Sequence, residues 1–195
     1  MECYNVKVER KPLPLIYPNP VVLVTTVDTN KRTNIITLTL TGGVCWEPPM
    51  IGVGVGKNQH SRILIEKLGE FVVNFPKAEM LKDVEYCGLV SGKEVDKCSR
   101  TSFTLVPSSR VKPPMIRECP VNLECKVKNE IPLGSNILFL AEVVCLHVDE
   151  KMLDERGGID LEKVKPIMFN LTNAYWGIGK KLADFGFTKS LARES

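Results

Sequence analysis

The sequence predicts a mainly β fold, an antiparallel barrel with a few peripheral helices. Three observations carry that prediction: β-branched runs that end in turn clusters, two-residue alternation in several segments, and only short stretches with helical spacing. The chain has 195 residues, 44% of them hydrophobic and 25% charged, which suits one globular domain. No repeat, low-complexity tract or linker divides it, so the whole chain reads as a single domain.

Val21-Val22-Leu23-Val24-Thr25-Thr26-Val27 is rich in β-branched residues and runs into the turn cluster Asp28-Thr29-Asn30, as a strand entering a hairpin does. The return strand spans Thr33 to Thr41. Its threonines Thr37, Thr39 and Thr41 share one face, while Asn34, Ile36, Leu38 and Leu40 share the other. Gly42-Gly43 and Pro48-Pro49 bracket an irregular stretch. Met50 to Gly56 then alternates apolar residues with glycine, clearing one face of a strand for another backbone or a flat ligand. A polar turn from Gly56 to Arg62 leads into a helix over Ile63 to Leu68, closed by Gly69.

Phe71 to Phe75 reads as a strand, and Ala78 to Val90 as a helix with apolar residues at 80, 81, 84 and 87. Ser91 to Cys98 is a second polar loop, read as an exposed turn. Val121, Leu123, Cys125 and Val127 alternate with polar residues, the mark of a half-buried strand. Asn129 to Asn136, with Pro132 and Gly134, is expected to be a loop before a long strand over Ile137 to Val148 that is apolar on both faces. Asn173 to Phe185, before Gly186, reads as a helix.

Lys plus Arg is 26 and Asp plus Glu is 23, a net charge of +3 without a long run of one sign, which argues against a dedicated nucleic-acid binder. Lys31-Arg32 and Lys180-Lys181 read as solvated surface. The longest apolar stretch is interrupted by Glu142 and His147 and falls short of a bilayer span. The first residues lack the pattern of an export signal, so a cytoplasmic protein is expected.

The seven cysteines, Cys3, Cys45, Cys87, Cys98, Cys119, Cys125 and Cys145, include no C-x-x-C, and no histidine is read as standing at metal-ligand spacing from them. Free thiols in a reducing compartment are expected, with Cys125 and Cys145 as small core residues. His60 and His147 are the only imidazoles. Neither has a local orienting carboxylate pattern, so a Cys-His nucleophile is disfavoured and no metal site or catalytic side chain is expected.

Gly52-Val53-Gly54-Val55-Gly56-Lys57-Asn58 is not a Walker loop, because Ile51 stands where its first glycine belongs and Asn58 where its hydroxyl belongs. Nor is it a dinucleotide fingerprint, since the glycines are spaced by two throughout. Lys57, His60 and Ser61 remain at a helix start, where free N–H groups and the positive dipole end favour an anion such as phosphate. The other reading there is a plain N-cap by Asn58 or Ser61.

Asn34-Ile35-Ile36-Thr37-Leu38-Thr39, Pro48-Pro49, Ser61, Gly69 to Asn74, Cys87 to Gly92 with Asp96-Lys97, and Tyr175-Trp176-Gly177-Ile178-Gly179 follow one another in a consistent order. This ordered set resembles the flavin reductase-like family of FMN-binding split barrels, and within it the flavoredoxin and archaeal ferric-reductase branch. The likeness spans about residues 15 to 188. It implies a split barrel, bound FMN and a homodimer.

The resemblance places Asn34 beside the flavin, Ser61 at its phosphate, Lys97 in the S-G-x-x-x-D-K motif, and Phe169 near the ring system. Thr39, Leu40, Thr41, Lys57, His60 and Asn136 complete the implied FMN-binding set. Leu40 stands where flavoredoxin-like members carry tryptophan, and Asn136 where the family commonly has the histidine of G-D-H. Leu40 offers apolar contact without indole stacking, and Asn136 cannot change charge near neutral pH.

The implied activity is a flavin- or ferric-reductase-type oxidoreductase that moves electrons from NAD(P)H or another donor through FMN to a flavin, ferric complex or protein. Alternatives are an electron carrier of the flavoredoxin type without its own NAD(P)H reductase activity, and a flavin-free binding scaffold. The absence of a recognisable triad or carboxylate pair fits the first two, because the cofactor carries the chemistry.

Overall fold

The computed structural model describes residues 7–14 and 16–188. The first six residues, read above for an export signal, lie outside them, as does Cys3. Among the described residues, twelve strands and three α-helices follow in order: β1 Asn19–Pro20, β2 Val22–Val27, β3 Thr33–Leu38, β4 Thr41–Cys45, β5 Met50–Gly56, α1 His60–Leu68, β6 Glu70–Phe75, α2 Leu81–Leu89, β7 Leu105–Val106, β8 Met115–Ile116, β9 Val121–Leu133, β10 Asn136–Val148, α3 Leu161–Val164, β11 Ile167–Phe169 and β12 Tyr175–Gly177.

Seven strands form one antiparallel sheet in the order β3-β2-β6-β9-β10-β5-β4. Its inward face is apolar by the two-residue period: Val22 and Val24, Ile36 and Leu38, Val53 and Val55, Phe71 and Val73, Ile137 and Phe139 meet in one core. Strands from both ends of the sheet share that core, so the sheet curls into a barrel. Ile65 of α1 joins the same core, and α1 packs against β2, β3 and β5. The helix therefore bridges the split between β3 and β5.

A second core lies outside the barrel wall, where Val21, Leu23 and Ile35 meet Val84 and Cys87 of α2, Phe103, Ile116 and Ile167. Both faces of β2 and β3 are thus covered, which accounts for the unbroken burial of β2 and the burial of Asn34 to Ile36 in β3. Asn74 ties the two layers together. Its Nδ2 donates to the Leu23 carbonyl at 3.0 Å, and its Oδ1 accepts from Ile116 N at 2.9 Å and Asn122 Nδ2 at 2.8 Å.

Several expectations are corrected. The strand over Thr33 to Thr41 ends at Leu38; Thr39 and Leu40 form a bend, and Thr41 begins β4. The Gly42-Gly43 stretch is regular, inside β4, because its backbone pairs with Ile51 and Gly52 of β5. Asn129 to Asn136 is no loop: β9 continues through Pro132 to Leu133, and only Gly134 and Ser135 turn the chain into β10. Proline tolerates this place because it sits at the far end of a long hairpin. Asn173 to Phe185 forms β12 and irregular chain instead of a helix, since Tyr175 to Gly177 pairs with Phe169 to Ile167. Cys145 is partly exposed, not core, whereas Cys125 is buried.

Candidate functional site

A cleft of about 580 Å³ opens between β3, the start of α1 and the loop from Gly92 to Cys98. Asn34, His60 and Lys97 line it, together with Arg32 and Lys93. Asp28, Glu94 and Asp96 bring negative charge to the same wall, so the cleft is polar and mixed in sign. Arg32 is held by Asp28 at 2.8 Å.

Gln59 occupies the N-cap of α1 without a side-chain hydrogen bond, and no acidic residue lies in the first turn. The capping reading for Asn58 or Ser61 is thereby corrected: neither supplies the cap. Helix N-terminal N–H groups left without a side-chain cap favour an anion. Beside them, His60 Nδ1 is buried and has no hydrogen-bond partner among the described residues. Burial, then the charge of Lys93, lowers the His60 pKa below its usual 6.5, with Asp28 opposing. At the other end Gly69 adopts φ +69° and donates its N–H to Ile65, closing α1 as expected.

Asn34 and Ser61 are both buried, and Asn34 Nδ2 donates to Ser61 Oγ at 2.6 Å. Gly92 presses on the other side of that amide: a Cβ there would lie 2.8 Å from Asn34 Cγ and collide with Oδ1. The second polar loop is therefore not simply an exposed turn. It closes over Asn34, and only glycine fits where it does so. Lys97 is 4% exposed. Its Nζ donates to the Ile35 carbonyl at 2.8 Å and the Cys87 carbonyl at 2.7 Å. Two of its three donors thus brace β3 against α2, and burial lowers its pKa.

A second group follows β5. The Leu40 carbonyl accepts from Gly54 N at 2.7 Å, and a Cβ on Gly54 would meet Leu40 Cβ at 3.1 Å. The glycine face expected to admit another backbone thus admits the Leu40 bend. Thr39 is fixed beside it, its carbonyl accepting from Asn19 Nδ2 at 2.9 Å, and Thr41 pairs with Val53. Farther along, Asn136 pairs with Gly56, and Lys57 N donates to the Ser135 carbonyl at 2.9 Å. Leu40, Lys57 and Asn136 therefore form one rim that leads into the start of α1.

Phe169 stands apart, packed on the second core with its ring 5.1 Å from that of Tyr175. Sequence reasoning missed Arg32, Lys93 and Gly92 as cleft residues. The glycine of Ser91-Gly92 was the available signal; the isolated cations offered none.

The sheet curls into a split barrel, and α1 packs across the split with its uncapped first turn beside the polar cleft. Residues 15–172 match the family described as flavin reductase like domain, and the chain belongs to that family. Flavoredoxin of Desulfovibrio vulgaris (Miyazaki F) is 30% identical with a TM-score of 0.89, covering 94% of this chain and 100% of its own. Flavoredoxin from Methanosarcina acetivorans is 34% identical with a TM-score of 0.85, covering 97% and 100%. An uncharacterised protein of Archaeoglobus fulgidus is 38% identical over 136 residues, 70% of this chain and 75% of its own length. The FMN-binding protein from Thermus thermophilus, at 21% identity and a TM-score of 0.77, shares the fold. The split-barrel expectation holds, and the family supports a flavoprotein with a role in electron transfer.

Proposed function

We propose that this protein binds FMN and carries electrons between a donor, NAD(P)H among the candidates, and a flavin, ferric or protein acceptor. The observation that carries the reading is the uncapped start of α1 with the orphaned His60 Nδ1 beside it, in a chain of the flavin reductase-like family. The donor set suits a phosphate: backbone N–H groups, an imidazole and the nearby Lys57. Bound FMN would supply one- and two-electron transfer.

The chain's own residues then bind and orient. Lys57 and His60 would meet the phosphate end, and the Leu40 bend between Thr39 and Thr41 would offer apolar contact. Ser61 and Asn34 support this site from within, each holding the other. Lys97 keeps β3 and α2 in place and has one donor left for the cleft. Asn136 offers a hydrogen-bonding amide at the rim, and Phe169 supports the β1 side, where Asn19 is its paired partner.

A homodimer belongs to the same proposal. Leu40, Val44, Trp46, Ile131 and Leu133 are exposed apolar residues on β4, β9 and their adjoining turns, Trp46 being 93% exposed. An uncovered sheet face of this kind calls for a partner. Free thiols at the six described cysteines suit a reducing cytoplasm.

The resemblance to the two flavoredoxins favours a second reading, an electron carrier that does not itself react with nicotinamide. Anaerobic mixing of the FMN-loaded protein with NADH or NADPH separates them. Rapid bleaching supports the reductase; no bleaching, with reduction by a protein donor, supports the carrier. A protein that retains no flavin after incubation with excess FMN contradicts both.

A further inference from the structure

We propose that Glu124, Cys145 and His147 form a binding site for a divalent, zinc-like metal ion, away from the cleft described above. Each of the three offers one ligand atom, and these atoms all lie within 4.8 Å of one another. Cys145 and His147 stand two apart on β10, and Glu124 on β9 is the register partner of Cys145. The absence of a histidine at ligand spacing from any cysteine is thereby corrected, and so is the absence of an orienting carboxylate. The carboxylate comes from the neighbouring strand, which local spacing along the chain does not reveal.

Glu124 is fully buried, yet its carboxylate is prepared to carry charge. Oε1 accepts from Ser109 N at 2.8 Å, and Oε2 from Arg110 N at 2.5 Å and Val111 N at 3.0 Å. Three backbone donors thus orient an ionised ligand from behind, as outer-shell partners do at metal sites.

The fourth partner of the carboxylate is His147 Nε2, 2.6 Å from Oε1. A proton joins these two atoms, and a metal ion can take its place. Bonds of about 2.0 Å to nitrogen and oxygen set the two ligand atoms roughly 3.3 Å apart in a tetrahedron. The pair must therefore open by about 0.7 Å, and the His147 side chain, 30% exposed, is the partner free to move. On loading, Nε2 gives up the proton that it shares with Oε1 and Cys145 binds as the thiolate, so ion binding releases at least one proton to solvent. A thiolate, an imidazole and a carboxylate, with water completing the shell, suit zinc better than magnesium or calcium.

The test uses Co²⁺ as the probe on the full-length protein, read at wavelengths beyond the absorption of oxidised flavin, with Zn²⁺ competition. The expected result is one Co²⁺ per chain with tetrahedral bands that Zn²⁺ abolishes. Cys145→Ser and His147→Gln should each weaken binding at least tenfold, while Cys45→Ser, which removes an exposed thiol, should leave it unchanged. Bands that survive in both Cys145→Ser and His147→Gln, or vanish in Cys45→Ser, overturn the proposal. So does failure of the folded protein to bind either ion.

Discussion

Lys97 shows how a residue can belong to a site and yet act mainly by holding it together. Removing its charge as Lys97→Met leaves the buried carbonyls of Ile35 and Cys87 without their donor. Each unsatisfied buried group costs about 1–3 kcal/mol. The variant should therefore lose about 2–6 kcal/mol in urea denaturation, and wild-type stability in that variant would refute the bracing role. His60 gives a prediction in pH. Because the folded protein holds its pKa below 6.5, the unfolded chain takes up the proton first as pH falls. Its contribution is complete above 6.5 and is lost as pH falls through the folded value. His60→Gln should flatten that acid-side slope in denaturation curves taken at a series of pH values. A phosphate near the ring favours the protonated form, so FMN should gain affinity over riboflavin as pH drops through the same window.

Elements were legible where both faces of the chain told one story. Val22–Val27, the glycine-alternating β5 and α1 with its Gly69 cap emerge from β-branching, period and turn chemistry. The misreadings share a cause: tertiary pairing overrode local signals. Gly42-Gly43 is a strand because β5 lies beside it, and Tyr175 to Gly177 is a strand because β11 does. The candidate site followed the same rule. His60 and Lys57 were visible at a helix start, whereas the Gly92 contact with Asn34 joins residues far apart in the chain. A test at this scale is Gly54→Val, which places branched carbons where Cβ alone would already be 3.1 Å from Leu40. The Leu40 bend should be displaced, costing about 1–3 kcal/mol of stability. Flavin affinity should fall with it, and titration with FMN checks this; unchanged affinity would remove the bend from the site.

At the scale of the whole molecule, the barrel covers its interior and one outer layer, but leaves the apolar side chains of β4 and β9 exposed. Light scattering should give the mass of a dimer, and Trp46→Glu should shift it toward monomer; a flavin-loaded wild-type monomer would contradict the covered face. In the proposed complex, α1 begins at the phosphate of the flavin. The most direct test of this is a pair of titrations of apoprotein, with FMN and with riboflavin, at fixed salt. A charged hydrogen bond contributes about 1.5–3 kcal/mol, so FMN should bind roughly tenfold or more tightly than riboflavin. Equal affinity for the two flavins, or binding of neither, would contradict a phosphate site at the start of α1.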